Sequence, residues 1–261
     1  MGDSFAGLNN IFNDTDAWRT ASMLGFAMLV AWQAGRRLGR RLRVEDTKIP
    51  VSKFLDGSLA LLGLLLGFTF SLAIVKYDQR RLALLADSNA IGDFYTCATL
   101  LKDPVRTQLQ SVVRDYTRLR VELASRPVNP AEFEDALERM QHMQDRMTAL
   151  VDQALTAGTP ISVSLTNTLN GLISNHAARL AAVRDRLPVS VVLLLLLAAV
   201  VASLLVGREQ GASNETDLAG TVCFVALATF VVFVILDLNQ PERGLITINQ
   251  EPMLRLLSSM K

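Results

Sequence analysis

The feature that most constrains this chain is a run of uncharged, apolar residues at positions 189–206. It contains five consecutive leucines and is bounded by Pro188 and Gly207. At 1.5 Å per residue, a helix of about 20 residues crosses the roughly 30 Å hydrocarbon core of a bilayer. Soluble domains seldom contain such a run, so the sequence predicts an integral membrane protein.

Three further apolar stretches are candidates for membrane spans, at positions 20–34, 57–75 and 218–236. The first is short, with Trp18 and Trp32 placed as interfacial anchors. It either crosses the bilayer with the help of its flanks or lies as a helix on the membrane surface. We favour the crossing, which predicts four transmembrane helices.

Residues 77–187 show helical periodicity throughout, with breaks at Pro104, Pro127 and Pro160. No segment alternates apolar and polar residues with a period of two, so no sheet is expected. The sequence therefore predicts an all-α fold with a helical bundle inserted between the second and third spans. The predicted divisions are residues 1–76 (N-terminal segment and two spans), 77–187 (inserted domain), 188–237 (two spans) and 238–261 (C-terminal tail).

Several classes of function are disfavoured by composition. The net charge is +1 and aromatic residues make up 6% of the chain, so neither a basic field nor a stacking platform favours nucleic acid. The cysteines and histidines lack metal-ligand spacing. We find no nucleophile beside a base and no phosphate loop, so we predict no catalytic residue, no metal, no cofactor and no enzyme. The span interiors carry no charge, which disfavours a proton-coupled transporter.

The predicted second span carries a stripe of small residues. Gly63 and Gly67 are separated by three leucines, and Ala60 and Ser71 extend the same helical face. Such a face lets helix backbones approach closely. It either lines a pore or subunit contact, or packs against a neighbouring span of the same chain; the second is the commoner use. This is the one glycine pair that we single out from the sequence.

Four polar motifs occur in a distinctive order relative to the spans. They are Asp87-Ser88-Asn89-Ala90-Ile91-Gly92 after Arg80-Arg81; residues 112–120 with Arg114, Tyr116 and Arg120; Asn170 and Arg179 before Arg184-Asp185-Arg186-Leu187-Pro188; and Asp237, Pro241, Arg243 and Gly244 after the last span. In order and spacing they resemble the motifs of the bestrophin-like bacterial membrane proteins, over roughly residues 54–260.

This resemblance implies four spans, a helical domain between the second and third, and an oligomeric anion channel by analogy with the bestrophins. The second span would line the pore, which places Gly63, Gly67, Phe68, Phe70 and Ser71 near it. The implied partners are the lipid bilayer, further copies of the chain and a small anion. The implied location is the cell membrane, as a multi-pass protein of the bacterial inner membrane.

Three points stay open at this stage. A non-channel interaction or sensor protein, whose helical domain binds a partner, is the alternative function. The basic loop at 35–53 puts the inserted domain outside by the positive-inside rule, whereas the bestrophin layout puts it in the cytoplasm. Asp237 either pairs with Arg243 across a turn set by Pro241 and Gly244, or caps the last span. Calcium-gated bestrophins carry an acidic cluster after the fourth span, whereas Asp237-Leu238-Asn239-Gln240 has a single carboxylate, so we expect no calcium clasp.

Overall fold

The computed structural model describes residues 16–42, 51–125, 129–213, 217–240 and 244–260. Within these ranges the chain is helical and contains no β-strand, which confirms the all-α prediction. The helices are α1 (Ala17–Leu42), α2 (Val51–Thr99), α3 (Val105–Ser125), α4 (Pro130–Thr156), α5 (Ser162–Arg184), α6 (Val189–Ser213), α7 (Leu218–Leu238) and α8 (Glu251–Ser259).

The chain divides into two compact units. The first comprises Met1–Tyr77 and Arg186–Thr247, and the second comprises Asp78–Asp185 and Ile248–Lys261. The first unit thus holds α1, the first part of α2, α6 and α7. The second holds the rest of α2 together with α3, α4, α5 and α8.

Three helical stretches are long and apolar enough to cross a membrane: Phe54–Thr99, Ser162–Ser213 and Leu218–Leu238. Within Ser162–Ser213 the uncharged part belongs to α6. These stretches contain three of the four predicted spans. Helix α1 is not among them, because Arg19 and Arg36 leave it too short an uncharged segment.

Helices α1 and α6 cross in backbone contact. A Cβ added to Gly35 would lie 2.0 Å from the Leu204 carbonyl oxygen, and one added to Gly207 would lie 2.0 Å from the Trp32 carbonyl oxygen. No side chain fits at such distances, so both helices require glycine here. Gly39 and Gly211 repeat the arrangement one turn further on.

Sequence analysis missed this crossing. Gly35-xxx-Gly39 and Gly207-xxx-Gly211 are small-xxx-small pairs, but charged residues lie between the glycines and hide the pattern. Singling out only the pair in α2 was therefore wrong. Small residues let two helix backbones come close together, and this effect does not depend on the residues that point away from the contact.

The contacts also fix the direction of the two helices. Trp32 meets Gly207, and Arg36 meets Gly211, so the contact advances along both helices together and α1 runs parallel to α6. The Trp32 indole Nε1 donates a hydrogen bond to the Gln210 Oε1 atom at 3.1 Å. On its other flank α1 meets α7, where a Cβ on Gly25 would lie 3.1 Å from the Thr229 hydroxyl.

The second unit has an apolar core built from all of its helices. Its fully buried members include Ile91, Phe94, Leu109, Leu165 and Leu172, and Met253 of α8 joins them. The Asn129 side chain caps α4 by accepting the Glu132 N–H at 2.8 Å, with Pro130 in the first turn. After α4, Gly158 takes a φ of 76°, which favours glycine and ends the helix region.

Candidate functional site

The residues predicted to line a pore lie on a face of α2 that no described part of the chain covers. We call Gly63, Gly67, Phe68, Phe70 and Ser71 the open face of α2. All five are exposed, with Phe68 at 63% and Phe70 at 37%. A Cβ added at either glycine would meet no atom within 4 Å. Packing against a neighbouring span of the same chain therefore finds no support among the described residues.

The opposite side of the same segment is packed. Leu62, Thr69 and Ala73 are buried, at the spacings of seven and four residues that keep them on one helical face. The Thr69 hydroxyl donates to the Leu65 carbonyl oxygen at 2.7 Å, so this polar group is satisfied within the helix. The segment thus has one face committed to the chain and one face available to lipid, to another subunit or to a water-filled passage.

The second unit contains a buried network, which we call the polar cluster. Its members are Asp87 of α2, Tyr116 and Arg120 of α3, Gln144 of α4, and His176 and Arg179 of α5. Asp87 is completely buried, and its Oδ2 atom accepts hydrogen bonds from Arg120 Nη2 and from Arg179 Nη1, the latter at 3.2 Å.

Arg120 is the centre of the polar cluster, and its side chain is 4% exposed. Its Nη1 donates to the Tyr116 hydroxyl at 2.9 Å and contacts His176 Nδ1. Gln144 Nε2 donates to the same hydroxyl at 3.2 Å. Because a guanidinium can only donate, His176 Nδ1 must be an acceptor, which makes this histidine neutral with its proton on Nε2. The cluster ties four helices together.

Burial and the arginine charges determine how the polar cluster titrates. Burial raises the pKa of Tyr116. Burial, followed by the charges of Arg120 and Arg179, lowers the pKa of His176 from 6.5 to about 4. Burial and the Arg120 charge lower the pKa of Arg179 to about 10, so Arg179 keeps its charge at neutral pH. With two guanidinium groups and one carboxylate, the cluster holds a net positive charge inside the unit.

The state of His176 makes the stability of the second unit depend on pH. The unfolded chain binds a proton at this histidine near pH 6.5 and the folded chain only near pH 4. The contribution of neutral His176 to the free energy of unfolding is therefore complete above pH 6.5 and is lost as the pH falls towards 4. Because the ring is half-buried, we expect a loss of about 1.5 kcal/mol over this window. Unfolding of His176→Gln, followed by circular dichroism, should lack this component.

The other histidine supplies the control for this prediction. His142 lies on the surface of α4 with its side chain 74% exposed. His142→Gln should keep the pH dependence of the unsubstituted chain. If His176→Gln and His142→Gln gave the same pH profile, the proposed role of His176 would be wrong.

The turn after α7 is organised by Asp237, which is 3% exposed. Its Oδ1 accepts the Leu245 N–H at 2.8 Å and its Oδ2 accepts the Ile246 N–H at 2.9 Å. A Cβ on Gly244 would lie 2.8 Å from the Asp237 carbonyl oxygen, so the turn requires glycine. The carboxylate therefore binds backbone. Pro241 and Arg243 lie outside the described residues, so the Asp237–Arg243 pair stays a prediction.

The remaining motif residues lie apart from the polar cluster. Asn170 is exposed on α5, and Arg186 and Pro188 lie between α5 and α6, where the Pro188 carbonyl accepts the Val191 N–H at 3.0 Å. Asn89 is exposed on α2. It lines a cleft of about 700 Å³ with α8, whose Glu251 and Arg255 form the opposite wall.

The structure brings together Asp87, Tyr116, Arg120 and Arg179 from the four motifs, and adds Gln144 and His176, which sequence reasoning missed. Asp87 stands in the first motif but was not singled out as a candidate site residue. A signal for Asp87 was present. It lies between Leu84 and Ile91 on the buried face of α2, where a carboxylate is expected only if it is paired. In the described part of the chain, no group of three or more His, Cys, Asp or Glu side chains is placed to hold a metal ion.

The fold and the open face define a helical membrane protein with an attached helical unit. A family model, the Bestrophin-like domain, matches residues 21–253. The chain belongs to the bestrophin-like family, as the motifs indicated. Searches among curated proteins and among solved structures find no match.

Proposed function

We propose that this chain is a subunit of an oligomeric anion channel in the cell membrane of a bacterium, with the open face of α2 directed at the pore. The observation that carries the proposal is the contrast between glycines. Gly35 and Gly207 are closed by a neighbouring helix, whereas Gly63 and Gly67 have open space beside them. Membership of the bestrophin-like family, which takes its name from anion channels, supports it.

The chemistry of the open face suits a passage for anions. Small residues leave room for a lumen, or let copies of α2 approach each other around an axis. Phe68 and Phe70 provide apolar rings, which can constrict a pore and gate it by dewetting. The edge of an aromatic ring carries the positive part of its quadrupole, so a ring directed edge-on into the lumen attracts an anion.

The proposal includes α1 as a fourth span, which places the second unit between the second and third spans. Helix α1 runs parallel to α6 in backbone contact, and Trp32 is level with Gly207. The uncharged stretch of α1 therefore ends at the same height as that of α6. A helix that accompanies a membrane span in this register must cross the same bilayer, although its own hydropathy is modest.

The test is anion flux through the purified chain in liposomes. A tryptophan at position 63 or 67 would fill the space beside α2, so Gly63→Trp and Gly67→Trp should change flux by roughly tenfold or more. The oligomer size should be retained. Gly171→Trp is the matched control: Gly171 also has open space beside it, but it lies on α5 in the second unit, and its replacement should leave flux unchanged.

One observation favours a second candidate function, an interaction or sensor protein without a pore. The cleft between α2 and α8 is lined by polar groups, including Asn89, Asp93 and Arg255. If folded oligomers passed no anion across several salts and pH values, this function would replace the channel. The interaction or sensor function also predicts that substitutions on the open face of α2 are tolerated, whereas Asn89→Ala and Arg255→Ala abolish the protein's function in cells.

A further inference from the structure

Three exposed arginines lie at the C-terminal end of α1. Arg37, Arg40 and Arg41 are exposed, and α1 contains no acidic residue along its whole length. Gly35 and Gly39 face α6. At 100° per residue the three arginines project from the opposite side of the helix, away from α6. Within the described residues none of the three forms an ion pair with a carboxylate.

The contact with α6 indicates the depth of these three arginines relative to the bilayer. Trp32 is level with Gly207, so the uncharged stretches of both helices end together, one turn before the arginines. The Trp32 indole donates to Gln210 at the same level. A tryptophan with a polar partner, followed by arginines, is the pattern found where a span leaves the hydrocarbon and enters the headgroup layer.

We propose that Arg37, Arg40 and Arg41 bind the phosphate groups of anionic phospholipids. The inference rests on the proposed crossing of α1. A guanidinium is always charged, presents parallel N–H groups that match phosphate oxygens in pairs, and is more weakly hydrated than an ammonium. A lipid headgroup fits better than a soluble phosphate because the arginines lie at headgroup depth, where lipid phosphates are already concentrated.

A single tryptophan beside the arginines can report this contact. The chain has two tryptophans, Trp18 near the start of α1 and Trp32 next to the arginines, but Trp32 is buried against α6, whereas Leu38 between the arginines is 46% exposed. In the variant Trp18→Phe, Trp32→Phe, Leu38→Trp, the fluorescence of the tryptophan at position 38 reports which lipids lie close to this end of α1. The protein is placed in phosphatidylcholine bilayers that contain either phosphatidylglycerol or phosphatidylcholine brominated near the headgroup end of the chains, since bromine quenches tryptophan on contact.

We expect brominated phosphatidylglycerol to quench the tryptophan at position 38 at concentrations about fivefold lower than brominated phosphatidylcholine, because one arginine near an anionic headgroup contributes about that factor. The triple variant Arg37→Gln, Arg40→Gln, Arg41→Gln should lose this preference. The matched control is Arg118→Gln, Arg139→Gln, Arg146→Gln, which removes three exposed arginines from α3 and α4 and should keep it.

Four results would overturn the inference. Equal quenching by both lipids, or a preference that survives in the triple variant, would remove the headgroup site and leave the crossing of α1 intact. Loss of the preference in millimolar inorganic phosphate would identify a soluble-phosphate site instead. Absence of quenching by either lipid would remove both the crossing and the site. None of these results depends on anion flux, so the channel proposal is tested separately.

Discussion

Replacing Asp87 with alanine should destabilise the second unit by about 3–5 kcal/mol. The Asp87 carboxylate binds Arg120 and Arg179 through one oxygen, and the Arg120 side chain is 4% exposed. Without it, the buried Arg120 and the partly buried Arg179 have no opposite charge beside them, and Arg120 cannot reach water without breaking its bond to Tyr116. The loss should be visible as a lower thermal midpoint in detergent and as faster hydrogen exchange in α3 and α5.

The same helix offers a matched control. Asp93 lies less than two turns from Asp87 but is exposed, so Asp93→Ala should change stability by no more than about 0.5 kcal/mol. Adding Arg179→Met to Asp87→Ala should recover part of the loss, because it removes one of the stranded charges. If Asp87→Ala were as stable as Asp93→Ala, the polar cluster would not stabilise the unit.

The second large effect is expected at the crossing of α1 and α6. Gly207→Ala places a Cβ 2.0 Å from the Trp32 carbonyl oxygen, in a contact between two backbones where no side chain can move aside. Separating the helices weakens the packing along the crossing and the bond from Trp32 to Gln210. We expect a loss of about 3 kcal/mol, at the upper end for overpacking, measured by unfolding in mixed detergent micelles.

The control for this substitution has the opposite expected sign. Gly57 lies in α2 with open space beside it, and a helical glycine replaced by alanine gains up to about 1 kcal/mol from helix propensity. Gly57→Ala should therefore be neutral or stabilising. A Gly207→Ala variant that behaved like Gly57→Ala would show that the two helices do not approach as closely as described.

Hydropathy alone located α6, α7 and the span in α2, because a bilayer tolerates few alternatives to a long uncharged helix. Hydropathy gave only a weak signal for α1, because the position of α1 beside α6 depends on glycines that are separated by charged residues. These act through backbone distance, which a hydropathy average does not measure. Composition could suggest a small-residue face at Gly63 and Gly67, but could not distinguish a packed face from an open one.

Only part of the polar cluster could be predicted from the sequence. The family motifs contained Asp87, Tyr116, Arg120 and Arg179, but they did not indicate the contact among these residues, since that contact depends on the rotation of each helix about its axis. Gln144 and His176 are single polar residues within otherwise ordinary helical patterns, and nothing local distinguishes them from surface residues. What the sequence lacks is the register between helices that are distant along the chain.

The parallel contact between α1 and α6 has a consequence for assembly during synthesis. About 150 residues separate the end of α1 from the start of α6, which takes roughly 7–30 s to translate at 5–20 residues per second. During that interval α1, the least apolar of the proposed spans, has no glycine-lined partner. Retention of α1 in the bilayer must then rely on Trp18 and Trp32 and on the arginines that follow. Helix α1 is therefore the span that most easily fails to stay inserted while the chain is being synthesised.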